Sequence, residues 1–261
     1  MASYQKLRAD IERKPLIGDD TEPGLQLSEA EGGFEFKNVS FKYPSRPEVT
    51  VLNHLDLSIP AKKHTAIVGL SGSGKSTIAG LVARLYDPTE GFITFDHHDL
   101  REIDPCSLRS YLSIVQQEAS LFDRSFLENI AYGLINSNRP EHAQLKPLLI
   151  GPELAELAEE IRMGGDMITA AEKRGRDIVE IVKLVRHAAT LADADAFISA
   201  TQHGYGTIVG SGGRLVSGGQ KQRVALARAV VKNPAVLILE DRKSTRLNSS
   251  HSGESRMPSS A

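Results

Sequence analysis

The run Gly69-Leu-Ser-Gly-Ser-Gly-Lys-Ser-Thr77 constrains this chain more than any other feature, because it fits the pattern G-x-x-x-x-G-K-[ST]. A loop of this kind needs a strand before it and a helix after it. Upstream, Thr65-Ala-Ile-Val68 reads as a buried strand, and downstream Ile78 to Leu85 carries apolar residues at helical spacing. The glycines let backbone N–H groups turn inward around phosphate oxygens, and the helix start adds the positive end of its dipole. Gly69, Ser71, Gly72, Ser73, Gly74, Lys75, Ser76 and Thr77 are thus the candidate phosphate-binding residues. Lys75 is placed to reach the β- and γ-phosphates and Ser76 to hold Mg²⁺.

A second motif, Val216-Ser-Gly-Gly-Gln-Lys-Gln-Arg223, runs into Val224 to Lys232, which reads as a helix with Leu226, Val230 and Val231 on one side. Ser-Gly-Gly at a helix start offers an anion a hydroxyl, two unobstructed backbone N–H groups and a helix dipole. Serine is also a good helix N-cap, so by itself the motif fits a plain cap as well as a ligand site.

Together these residues resemble the nucleotide-binding domain of ATP-binding cassette (ABC) transporters, of the multidrug exporter (P-glycoprotein-like) type, over roughly Phe34 to Leu239. The resemblance implies an α/β fold, a P-loop NTPase of ABC type: a RecA-like core lobe, a β-subdomain and an α-helical lobe. It implies ATP and Mg²⁺ as ligands. Phe41-Lys-Tyr-Pro-Ser-Arg-Pro47 looks like the family's aromatic loop, in which Tyr43 would stack on adenine. Ile114 to Phe122 looks like its glutamine loop, with Gln117, rather than Gln116, aligned with the residue that reaches Mg²⁺ and the attacking water. Val236 to Leu239 looks like the strand that ends in a Mg²⁺-organising Asp and a catalytic Glu, a slot where this chain has Glu240 and Asp241. Two such domains close head to tail in the family, so Ser217, Gly218, Gly219 and Gln220 would act on ATP held by a second domain. Val216 stands where the family has Leu, a packing position, and Ser211 stands where it has a Glu near the membrane-domain contact.

Beyond Leu239 the chain loses apolar periodicity. Asp241 to His251 matches, residue by residue, the translation of a common sequencing adapter. Residues 240–261 are accordingly expected to be an artefactual tail, with Glu240 standing for an Asp codon cut at the junction. A chain with these residues in the catalytic slot is expected to bind ATP and turn it over weakly or not at all.

The organisation fits one domain of two lobes. Residues 1–30 are expected to be a linker from a membrane domain, with Tyr4, Leu7 and Ile11 at helical spacing and a flexible stretch marked by Pro15, Gly18, Pro23 and Gly24. Residues 31–239 are expected to form the ABC domain that the resemblance implies, with a helical lobe over about 118–220 and an insertion over about 134–175 whose charges face solvent. Phe34-Glu-Phe36, Val51 to Ile59, Phe92 to Phe95 and Tyr111 to Val115 read as strands, and Leu154 to Ile161 and Ile178 to Ala189 as helices. Net charge is −2, with no strongly basic tract, which argues against a nucleic-acid partner. The single cysteine, Cys106, excludes an internal disulfide and is expected to be a small packing residue. His97-His98 reads as a surface turn rather than a metal site. No run is long enough to span a bilayer, so the partners expected are ATP, a second ABC domain and a membrane domain absent from this chain. The place expected is the cytoplasmic face of a membrane. The alternatives are a soluble, non-transport ABC ATPase and a hydrolysis-dead ATP-binding regulatory module.

Overall fold

In the computed structural model, which describes Arg8, Ile17 and residues 24–240, β1 (Phe34–Lys42) organises the first lobe. It pairs antiparallel with β2 (Thr50–Ile59) on one edge and with β3 (Glu90–Phe95) on the other, and β4 (His98–Asp99) lies outermost. Phe34 and Phe36 are buried, as are Val39 and Phe41, although strict alternation would put the two pairs on opposite faces. A register shift between Phe36 and Val39, with Asn38 at φ 51°, resets the alternation so that all four share the core. Asp96 and His97 have φ 46° and 73° between the paired residues Phe95 and His98, a two-residue hairpin turn of the type that needs two positive φ values. Of the expected turn at His97-His98, His97 lies in the turn and His98 opens β4; no group of three or more metal-ligating side chains occurs among the described residues.

Helix α1 (Lys75–Val82) packs Ile78, Leu81 and Val82 into this lobe and ends before the predicted Leu85, where Arg84 turns to φ 47°. Helix α2 (Pro105–Tyr111) is capped by Asp104, whose carboxylate accepts the Ser107 N–H at 2.6 Å. It takes Tyr111 out of the expected strand. That strand, β5 (Leu112–Val115), pairs in parallel with β6 (Val236–Leu239). Cys106, expected to pack, is exposed on the first turn of α2. The last residues of the expected linker are tied down rather than flexible: Leu25 N–H donates to the Glu102 carbonyl at 2.7 Å, and the Leu25 carbonyl accepts from Asp104 N–H at 3.0 Å. Tyr4, Leu7 and Ile11, and Asp241 onward, lie outside the described residues.

The strand expected before the glycine loop, over Thr65 to Val68, is absent; Val68 is 82% exposed, and Leu70 is nearly as open. An extended segment gains little without a neighbour to take its N–H and C=O groups, and among the described residues β5 and β6 pair with each other and with no further strand.

The second lobe is helical. It comprises α3 (Phe126–Ala131), α4 (Pro140–Ala143), α5 (Lys146–Ile150), α6 (Glu153–Arg162), α7 (Met167–Glu172), α8 (Arg176–Leu191), α9 (Asp195–Ser199) and α10 (Gly218–Val230). α3 starts in a capping box, Ser125 Oγ accepting the Glu128 N–H at 3.1 Å while Glu128 Oε2 accepts the Ser125 N–H at 3.0 Å. α6 buries Leu154, Leu157, Ala158 and Ile161, and α8 buries Ile178, Ile181, Val182, Val185 and Ala189, the helical stripes the sequence predicts. Over 134–175, Leu145, Leu154, Leu157 and Ala170 join one core with α3 and α10. The charges there pair at the surface, as Glu160 does with Arg174 at 2.6 Å and Lys173 at 3.0 Å. The two lobes have separate apolar cores, and the chain crosses from one to the other just after Val115.

Candidate functional site

The phosphate loop is shaped by two left-handed glycines, Gly72 at φ 84° and Gly74 at φ 86°. Side-chain residues rarely adopt this backbone, and a β-carbon at Gly74 would also lie 2.8 Å from Leu52 Cδ2. Gly74 is the N-cap of α1, so the loop ends on the unpaired N–H groups of a helix start. Lys75 Nζ folds back over the loop, donating to the carbonyls of Gly69 at 2.8 Å and Leu70 at 2.7 Å, with Ser73 Oγ at 3.4 Å. These contacts hold a cation above the loop without burying it, where an incoming phosphate can exchange for the carbonyls.

A cavity of about 1500 Å³ opens beside the loop. Its walls bring together Tyr43, Ser71, Gly72, Gly74, Lys75, Ser76, Thr77, Gln117 and Glu240. Gly69 and Ser73 support the loop from outside that lining. Tyr43 leaves the end of β1 half-buried; its hydroxyl and Thr77 Oγ1 are 2.9 Å apart, and its ring meets Phe41 and Tyr86 edge-on at 4.9 and 5.3 Å. The aromatic is thereby fixed to the helix that carries the loop. Glu240 continues the β5–β6 ladder, its N–H donating to the Val115 carbonyl at 3.0 Å.

The donors fit a magnesium ion that arrives with nucleotide. Mg²⁺ takes hard oxygen ligands, one or two from protein and the rest from phosphate and water. Ser76, Gln117 and Glu240 offer such oxygens to one cavity. Lys62, Lys63 and His64 also line it, although the sequence reading passed over them; their position directly before Thr65 was the available signal.

The second motif stands apart from this cavity. Ser217 is the N-cap of α10 in a second capping box, its Oγ accepting the Gln220 N–H at 3.3 Å and its own N–H donating to Gln220 Oε1 at 2.9 Å. A β-carbon at Gly218 or Gly219 would meet nothing within 4 Å, and neither glycine has positive φ. This fold therefore imposes no need for glycine at either place, and both residues are exposed at the helix start. Val216 packs half-buried against the helical core.

Behind the glutamine loop, Lys232 Nζ is buried and donates to the carbonyls of Arg109 and Leu112 at 2.9 and 2.7 Å, and burial pushes its pKa down to about 8.

Comparison with known proteins agrees with this geometry. The family model described as "ABC transporter" matches residues 52–242. The chain is 53% identical over 241 residues to "ABC transporter 1" of Ajellomyces capsulatus, covering 92% of this chain and 18% of that protein. It is 48% identical over 237 residues to "ABC multidrug transporter MDR2" of Trichophyton rubrum, covering 90% of this chain and 17% of that protein. It spans less than a fifth of the length of these curated relatives. A bacterial Atm1-family ABC exporter solved with ATP bound superposes with a TM-score of 0.64 at 32% identity, covering 91% of this chain and 33% of that one. The chain belongs to the ABC transporter family and carries the nucleotide-binding domain fold of its exporters.

Proposed function

We propose that this chain is the ATP-binding, energy-coupling domain of an ABC-type exporter. One observation carries the reading: an aromatic, a glycine loop opening a helix with its lysine and hydroxyl, and a glutamine, from three separate stretches of chain, converge on one cavity. Tyr43 orients the base, the loop N–H groups and Lys75 bind the phosphates, and Ser76 and Gln117 hold Mg²⁺. Bound Mg²⁺ supplies charge neutralisation on the phosphates. Glu240, in the same lining, would offer a further oxygen toward Mg²⁺, and Gln117 would orient water.

Ser217, Gly218, Gly219 and Gln220 serve a second ABC domain, closing head to tail on the nucleotide it holds. The open space over the two glycines supports this reading. A membrane domain completes the transporter, with this domain on the cytoplasmic face. Support comes from the transporter names of the relatives; among the described residues no helix is long and apolar enough to cross a membrane.

Calorimetry of Mg-ATP binding to the chain and to Lys75→Ala tests the site. Losing a charged donor to phosphate should weaken binding on the order of 100-fold. Equal affinities would place the nucleotide elsewhere.

A further inference from the structure

Helix α10 touches both lobes. Near its C-terminal end Ser113 Oγ, on β5, donates to the Ala229 carbonyl at 2.8 Å. One residue earlier stands Arg228. Its Nε donates to the Asn129 carbonyl at 2.9 Å, its Nη2 to Asn129 Oδ1 at 2.5 Å and its Nη1 to the Ser120 carbonyl at 3.0 Å. The guanidinium carbon lies 5.0 Å from the centre of the Phe122 ring.

Asn129 is fully buried on α3 and grips the same stretch of backbone. Its Oδ1 accepts the Phe122 N–H at 2.9 Å, and its Nδ2 donates to the carbonyls of Phe122, Arg124 and Ser125 at 3.0, 3.3 and 2.9 Å. A β-carbon on Gly133 would collide with the Arg228 carbonyl, so α10 also meets backbone directly beside α3. Toward the start of α10, Gln222 Nε2 donates to the Gln117 carbonyl at a long 3.4 Å.

An apolar residue could fill this space without the desolvation that burial imposes on a guanidinium. What the guanidinium adds is a rigid planar fork whose donors fix several acceptors at once. Those acceptors are the Ser120 carbonyl in the last part of the glutamine loop, and the carbonyl and side chain of Asn129 on α3, which holds that stretch. The helix opened by Ser217 and the loop carrying Gln117 therefore share one fixed reference.

We propose that Arg228, seated on Asn129, is a positioning residue that ties the glutamine loop to the Ser217 helix, so that both respond together when nucleotide fills the phosphate-loop cavity. This rests on the nucleotide reading of that cavity. Arg228 lines neither the cavity nor the exposed Ser-Gly-Gly turn; it acts through Ser120 to Arg124.

Hydrogen exchange of the full chain, with and without Mg-ATP, tests the link. Without nucleotide, Arg228→Gln should speed exchange about tenfold in both 117–125 and 217–224 while the middle of α8 holds. Arg228→Lys keeps the charge without the fork and should fall between. Faster exchange confined to 120–125 overturns the proposal. If Arg228→Gln also loosens α8, the Lys variant decides, and equal loosening of α8 in both variants reduces Arg228 to a packing role.

With Mg-ATP, protection of 71–78 in the unmodified chain should be accompanied by protection of 217–224. In Arg228→Gln the phosphate loop should still be protected, with affinity within about twofold because the sites share no partner, while 217–224 no longer follows. Protection of 217–224 that survives in Arg228→Gln overturns the proposal. Failure of Mg-ATP to protect 71–78 in the unmodified chain would remove the nucleotide reading instead, and the nucleotide-free comparison then decides the link alone.

Discussion

Val182 and Val68 each lie in an apolar run, and the fold treats them oppositely: Val182 sits in α8 with no exposed surface, while Val68, beside the phosphate loop, is 82% exposed. A helix satisfies its own backbone and needs only one apolar face covered. α7, α3 and α10 cover that face from within the chain. An extended segment needs a neighbour for its backbone as well as its side chains, and Thr65 to Val68 finds none among the described residues. The chemistry of the phosphate loop is nonetheless in place, because its geometry comes from Gly72, Gly74 and the start of α1 rather than from the segment before it.

The contrast makes numerical demands. Ile181→Ala, in the closed core of α8, should cost about 2–5 kcal/mol in urea unfolding; a cost below about 1 kcal/mol would mean that the helical lobe is looser than its packing. On the other side, Tyr43→Ala should weaken Mg-ATP binding by about 1–3 kcal/mol, the range for base–aromatic stacks. Unchanged affinity in calorimetry would remove Tyr43 from the site. Lys232, just past α10 and bonded to the Arg109 and Leu112 carbonyls, should report pH. Its folded pKa, about 8, lies below its ordinary 10.5, so between those values the unfolded chain holds more protons than the folded one. Stability should therefore rise with pH across that window, by on the order of 1 kcal/mol relative to Lys232→Met. Parallel curves for the two proteins would show that Lys232 keeps its proton. The smallest effect belongs to Val68→Thr, expected within about 0.5 kcal/mol; a larger loss would reveal a partner for that segment.

What could be read from the residues follows the range of the forces. Ile178 to Ala189 announces its buried face by spacing alone, and the loop from Gly69 to Thr77 announces its shape by its glycines. The bulge at Asn38, which keeps four aromatic and apolar residues on one face, has no periodic signature. Arg228 and Asn129 are 99 positions apart, and nothing in either neighbourhood names the other. The Ser217 turn allows two readings in the sequence; the structure bears out the cap, with the hydroxyl accepting the Gln220 N–H, and leaves space over the two glycines.

The parallel pair of β5 and β6 joins residues about 120 positions apart, with the whole helical lobe as the intervening loop. Closing so long a loop from an unfolded chain is entropically slow. Once the helices have packed on their own core, the effective loop is only the few residues that lead into and out of a folded body. Packed first, the helical lobe would thus serve as a scaffold for the strand pair, bringing β5 and the Glu240 strand to each other as a preassembled pair of ends.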